Sequence, residues 1–143
     1  MAKVYAIDVG YGQLAWKIRN DERVIVIERF NARYLTDKEV PEAIDFICCD
    51  ASFIGLRTVL PAALKLTRTG TELVALIKPQ FEVSKSQVGT KGVVRNPELH
   101  DEVCKRISDW LKELGDWKVE GVEKSPITGP AGNLEFLIAA TRF

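Results

Sequence analysis

Apolar residues fall along this chain in short runs separated by amphipathic stretches. Residues 4–7 form a first run, Val-Tyr-Ala-Ile, followed at once by Asp8. Residues 13–19 carry Leu14, Trp16 and Ile18, which suits a short helix. Residues 23–27 are rich in β-branched side chains and read as a strand. Residues 44–49 read as another, ended by Asp50. Residues 56–66 place Leu56, Val59, Leu60, Ala63 and Leu64 at helical spacing. Then Leu73, Val74, Ala75, Leu76 and Ile77 follow one another without a polar break, the habit of a strand covered on both faces. Pro79 has no N–H to give to a ladder, so this strand stops at Lys78.

Residues 84–95 mix glycine and serine with Lys85, Lys91 and Arg95, and predict a mobile loop. Asn96 followed by Pro97 is a helix start, with Asn96 as the cap and Pro97 in the first turn. That helix runs to about Leu114, where Gly115 stops it. Residues 117–123 alternate, residues 125–133 are turn-rich, and residues 134–141 predict a final strand. Strands separated by helices predict an α/β fold with a mostly parallel, doubly wound sheet. The last two strands have no helix between them and predict a carboxyl-terminal antiparallel hairpin.

With 143 residues the chain is read as one domain. Twenty basic and twenty acidic side chains cancel, so no overall field draws the chain to nucleic acid. Its three cysteines form neither a disulfide framework nor a zinc spacing. Cys48 and Cys49 end an apolar run and read as small core residues in a reducing cytosol. No metal site is expected. No apolar stretch approaches the roughly 20 residues of a membrane span, and no signal-peptide pattern precedes the first strand. A cytoplasmic location is expected.

Charged groups end three of the predicted strands: Asp8, Asp50 and Lys78. Glu135 opens the last one. If that strand runs antiparallel, its beginning lies at the carboxyl edge of its parallel neighbours, and the four groups share one rim. In open α/β sheets this rim is where ligands bind. Strand ends also carry charge simply because solvent begins there, so pattern leaves both readings open. Lys78 suits either a base or a phosphate grip. Asp8 is placed to accept hydrogen bonds from ribose hydroxyls, and Gly10-Tyr11-Gly12 after it reads as a tight turn or a phosphate cradle. His100, in an acidic helix start, reads as a surface residue; Trp16, Trp110 and Trp117 read as core. Lys85, Lys91 and Arg95 suit phosphate contacts or a solvated loop.

Four strings carry a resemblance: Asp8-Val9-Gly10-Tyr11-Gly12-Gln13-Leu14, Asp50-Ala51-Ser52-Phe53-Ile54, Lys78-Pro79-Gln80-Phe81-Glu82, and 125–130 with 132–137, Ser-Pro-Ile-Thr-Gly-Pro and Gly-Asn-Leu-Glu-Phe-Leu. Over essentially its whole length the chain resembles the TlyA or hemolysin A family, whose catalytic domain is similar to FtsJ-type ribosomal RNA methyltransferases. The resemblance implies a Rossmann-like class I methyltransferase that uses S-adenosyl-L-methionine to methylate ribose 2′-hydroxyls of ribosomal RNA. It further implies a Lys-Asp-Lys-Glu catalytic tetrad, with the aspartate at Asp50, the second lysine at Lys78 and the glutamate at Glu135. The ribose-binding acid falls at Asp8, with Asp50 also beside the cofactor, and the acid near the adenine at Glu28. The implied partner is ribosomal RNA or a ribosomal subunit.

Family members also carry an S4-type RNA-binding domain, the first tetrad lysine and a first strand with a glycine-rich loop. On the resemblance this chain begins at the second strand. It is therefore expected to be a partial domain with the first strand missing, inactive or weak alone, with exposed sheet edges open to a homodimer. Other readings are a non-catalytic RNA-binding or assembly module, a nucleotide-dependent oxidoreductase, and a haemolysin-type activity.

Overall fold

A computed structural model describes residues 3–12 and 14–143. Strand β1 (Val4–Ile7) leads through a single-turn helix α1 (Trp16–Arg19) into β2 (Val24–Ile27). Strand β3 (Ile44–Cys49), helix α2 (Leu56–Leu64) and strand β4 (Thr67–Ile77) follow. Helix α3 (Pro97–Glu113), β5 (Trp117–Lys124) and β6 (Phe136–Arg142) complete the chain.

The strands form two hydrogen-bonded pieces. β1 and β2 pair in parallel. The larger piece has the order β3-β4-β6-β5, with β4 parallel to β3 and β6 antiparallel to both of its neighbours. The expected hairpin is therefore present, and β6 inserts between β4 and β5. Among the described residues, β1 and β2 of the smaller piece and β3 and β5 of the larger one each leave one edge unpaired.

One core holds the larger piece together. Val103, Ile107 and Leu111 recur every fourth residue along α3 and are fully buried. They join Leu56, Val59, Leu60 and Leu64 of α2 and the alternate residues Leu73, Ala75 and Ile77 of β4. The start of α3 follows its sequence signals. The Asn96 side chain accepts from the Glu98 amide at 2.9 Å, and Pro97 occupies the first turn. Gly115, at φ +90, ends the helix in a conformation that favours glycine.

Several expectations are corrected. Val74 and Leu76, on the other face of β4, are only half-buried, so the apolar run is fully covered on one face alone. β4 begins six residues earlier than its apolar run, because the Thr71 hydroxyl donates to the Ile44 carbonyl and accepts from the Arg68 amide. Cys48 is exposed and not a core residue: β3 alternates, and its Phe46 and Cys48 both point to the open side. Burial pushes the neighbouring Cys49 thiol up to about 11, which leaves it un-ionised at neutral pH. Trp16 is exposed, whereas Trp117 is core. Two short turns, Lys85–Gln87 and Thr90–Gly92, lie within the 84–95 loop, which has no longer element.

Candidate active site at the carboxyl edge of the sheet

Register brings the charged groups together. Ile77 pairs with Phe136 in the antiparallel β4–β6 ladder. One step beyond that ladder, Lys78 and Glu135 stand opposite each other. β3 runs parallel to β4 on the other side and delivers Asp50 to the same edge. Lys78 is buried, and its Nζ lies 2.5 Å from Asp50 Oδ1. It also donates to Ser52 Oγ at 3.1 Å. An ammonium has three N–H donors, so one remains for a ligand. The Asp50 side chain is itself 69% exposed and forms the open wall of the site.

Glu135 is buried, yet no ion pair joins it to Lys78 among the described residues. Its partner is Gln80, whose Nε2 donates to Glu135 Oε2 at 3.1 Å. On the other side lies Gly129, where a Cβ would come within 2.8 Å of the Glu135 Cδ. The 125–133 loop is fixed to its neighbours. The Ser125 amide donates to the Glu135 carbonyl at 2.8 Å. Asn133 accepts from the Val94 amide at 3.0 Å and donates to the Gly92 carbonyl at 2.9 Å. His100, expected on the surface, is buried and lies with Nε2 2.7 Å from the Val94 carbonyl. An otherwise unsatisfied loop carbonyl explains its burial.

The string Lys78-Pro79-Gln80-Phe81-Glu82 thus connects three loops. Lys78 reaches Asp50 and Ser52, and Gln80 reaches Glu135. The Phe81 ring packs 5.0 Å from that of Phe53. Phe53 is 90% exposed and sits at φ +64, a conformation that is strained for a bulky side chain. Glu82 Oε2 accepts from the Leu56 amide at 3.0 Å, capping the start of α2. A Cβ at Gly55 would lie 2.6 Å from Glu82 Oε1, so the cap requires glycine there.

Burial pushes the Glu82 carboxyl above its ordinary 4.5, against the Leu56 amide, Arg57 and Arg106, which pull it down. Above 4.5 and up to the raised native value, the folded protein binds more protons at this group than the unfolded chain does. Stability therefore falls as pH rises through that window. Glu82→Gln removes the charge and keeps an acceptor for the Leu56 amide. It is expected to flatten the decline and to raise the neutral-pH denaturation midpoint. Denaturant titrations between about pH 4 and 7 check this; an unchanged decline would assign it to other groups.

The second cluster follows β1 and β2. Asp8 Oδ1 accepts from the Gly10 amide at 2.9 Å, and its other oxygen makes no hydrogen bond among the described residues. Gly12, at φ +71, closes the turn as glycine must. Glu28 takes the Gly12 amide on one oxygen and pairs with Arg19 on the other. The Gly12 amide, and then Arg19, hold its carboxyl below the usual range. The Arg29 guanidinium lies over the Tyr11 ring, 4.2 Å from its centre. Asp8 and Glu28 thus share the loops that follow β1 and β2, whereas Asp50 and Lys78 follow strands of the larger sheet. Asp8 retains the acceptor capacity that a ribose hydroxyl needs, so this cluster fits the sugar of a nucleoside cofactor. Lys85, Lys91 and Arg95 are exposed and outside the ion pairs of the described residues. Ser52, Gln80, Phe53 and Gly129 were not singled out from sequence; membership of the three strings that begin at Asp50, Lys78 and Ser125 is the signal that held them.

A family model described as FtsJ-like methyltransferase matches residues 1–142. The chain is 48% identical over 137 residues to the 16S/23S rRNA (cytidine-2′-O)-methyltransferase TlyA of Mycobacterium tuberculosis, covering 96% of this chain and 51% of that protein. It is 37% identical to Hemolysin A of Brachyspira hyodysenteriae, covering 94% of this chain and 56% of that protein. The chain thus spans about half the length of the curated relatives it matches. A solved structure of a Lactococcus lactis protein that carries a hemolysin name superposes with a TM-score of 0.92 at 42% identity, over 99% of this chain and 68% of that one. An O-methyltransferase from Bacillus cereus, solved in complex with SAH, shares the fold at a TM-score of 0.59 and 16% identity, over 99% and 74% of the two chains. Among the described residues no helix is long and apolar enough to cross a membrane.

Proposed function

The chain belongs to the FtsJ-like methyltransferase family, and from that premise we propose that this protein methylates ribose 2′-hydroxyls of ribosomal RNA with S-adenosyl-L-methionine as donor. The observation that carries the reading is Lys78: a buried ammonium, held by Asp50 and Ser52, with one donor left at the edge where Glu135 also lies. S-adenosyl-L-methionine supplies, when bound, a methyl group on a positively charged sulfur. Asp8 would hold its ribose, with Glu28 and Asp50 beside the remaining nucleoside.

A ribose hydroxyl is a weak nucleophile at neutral pH, and in-line displacement needs close approach and alignment. Lys78 donates its remaining N–H to the 2′-oxygen and orients it. Methyl transfer to this oxygen would break the carbon–sulfur bond of the donor and leave a neutral thioether, and the hydroxyl proton would become strongly acidic. Asp50, exposed and adjacent to Lys78, is placed to take it. Glu135 fixes the polar floor of the site. Phe53 offers an exposed ring on which a nucleobase can stack, and Lys85, Lys91 and Arg95 are suited to backbone phosphates. The unpaired outer edges of the two pieces support pairing with a further strand, from a second copy or another segment.

Methyl transfer from labelled donor to ribosomal RNA, followed by alkaline hydrolysis, tests the reading. A 2′-O-methyl group blocks hydrolysis, because cleavage uses the 2′-oxygen as nucleophile. Label recovered in an alkali-resistant dinucleotide is expected. Transfer is expected to be weak from this chain alone, and label released as a methylated base would overturn the proposal.

A further inference from the structure

Gln80 carries a feature that stability does not explain. The side chain is 9% exposed. Its Nε2 donates to Glu135, and its Oε1 is, among the described residues, the one buried side-chain polar atom without a hydrogen-bond partner. A buried acceptor left unmade is costly, and an apolar residue of the same length would avoid the loss. Flipping the amide gives no relief: it would set the carbonyl oxygen against the Glu135 carboxylate. The amide is therefore oriented by the carboxylate, and the orphan oxygen is the consequence.

The backbone fixes this orientation in turn. Gln80 lies in the tight turn Pro79–Phe81, where Pro79 sets the backbone and the Phe81 amide donates to the Lys78 carbonyl at 2.9 Å. The residue that grips Glu135 is thus two positions from the lysine that grips Asp50 and Ser52. The two arms of the site share one rigid turn.

We propose that Gln80 is a positioning residue, whose amide holds the Glu135 carboxylate in register with Lys78 across the end of the β4–β6 ladder. The proposal rests on the methyltransferase reading above. Without the amide, Glu135 is free to choose other rotamers, and the reacting groups lose their alignment while the fold does not change.

Gln80→Met tests it. Methionine keeps the length and fills the volume, and it removes both the grip and the orphan. In the methyl-transfer assay kcat is expected to fall about 10- to 100-fold, with KM for RNA and for the cofactor unchanged. Thermal stability is expected to stay level or rise. A purely structural residue cannot give lost kcat with undiminished stability. Full kcat in Gln80→Met, or a loss of kcat that only tracks a loss of stability, would overturn the proposal. A second measurement is independent of activity. The side-chain amide of Gln80, followed by NMR in the wild type, should exchange slowly with solvent, and Glu135→Leu should abolish that protection. Equal exchange in the two proteins would also overturn it. If the wild type places its label on a base instead of a ribose, the functional reading falls first and the role of Gln80 with it. If the wild type is active and Gln80→Met keeps kcat, only the role of Gln80 falls.

Discussion

Replacing Lys78 with alanine is expected to abolish methyl transfer and leave the fold standing. The two effects separate because of where the charges lie. Lys78 is buried, but its ion-pair partner Asp50 is 69% exposed and returns to water when the lysine is removed. No buried charge is orphaned, which is the usual source of a large stability loss at an ion pair. The remaining cost is the cavity left by the aliphatic stem. Lys78→Met fills that space and is the cleaner variant. Catalysis has no such reserve. Among the described residues Lys78 is the buried cation of this edge, and loss of a positioned group at the reacting oxygen costs about 10²- to 10⁴-fold. Lys78→Arg is not a rescue: the planar guanidinium cannot bond Asp50, Ser52 and a ligand from one tetrahedral centre. The measurement is kcat beside a denaturation midpoint. Retained activity in Lys78→Met, with an unchanged midpoint, would remove Lys78 from the mechanism.

Lys78 was legible in the sequence because two local signals coincide there, an apolar strand and a proline that ends it. Asp50 follows a second such strand, and Glu135 was reached by arguing that an antiparallel last strand begins where parallel ones end. The β4–β6 register bears that argument out. Other features stayed hidden for physical reasons. The polar start of β4 is stabilised by Thr71 bonding to β3, a contact that no local periodicity reports. Cys48 and Phe46 are apolar yet exposed, since an edge strand keeps a strand's composition without a covering layer. His100 looked solvated among acids, but its partner is a carbonyl in the preceding loop. Gln80 meets Glu135 across 55 residues of sequence, so its role exists only once the turn after β4 faces the loop before β6. Residues that carry charge at strand ends could be read from the chain; residues that merely hold them could not.

Gly129 shows how strongly such a holding residue can act. Gly129→Ala is expected to cost activity far more than stability. Its backbone does not lie in the left-handed region, so alanine is tolerated by conformation alone. The new Cβ, however, would come within 2.8 Å of the Glu135 Cδ, and something must move. The atoms met are the far end of a flexible side chain, so the carboxylate yields rather than the backbone. That displacement strips Glu135 from the Gln80 amide at the edge it shares with Lys78. A shift of about 1 Å in a reacting constellation can cost about 10²-fold in rate. A double-mutant cycle gives the decisive comparison. In a Glu135→Ala background the added methyl group meets no carboxylate, and Gly129→Ala should then have no further effect on kcat. If the two losses multiply instead, Gly129 acts through some route other than Glu135, and the steric account of this loop is wrong.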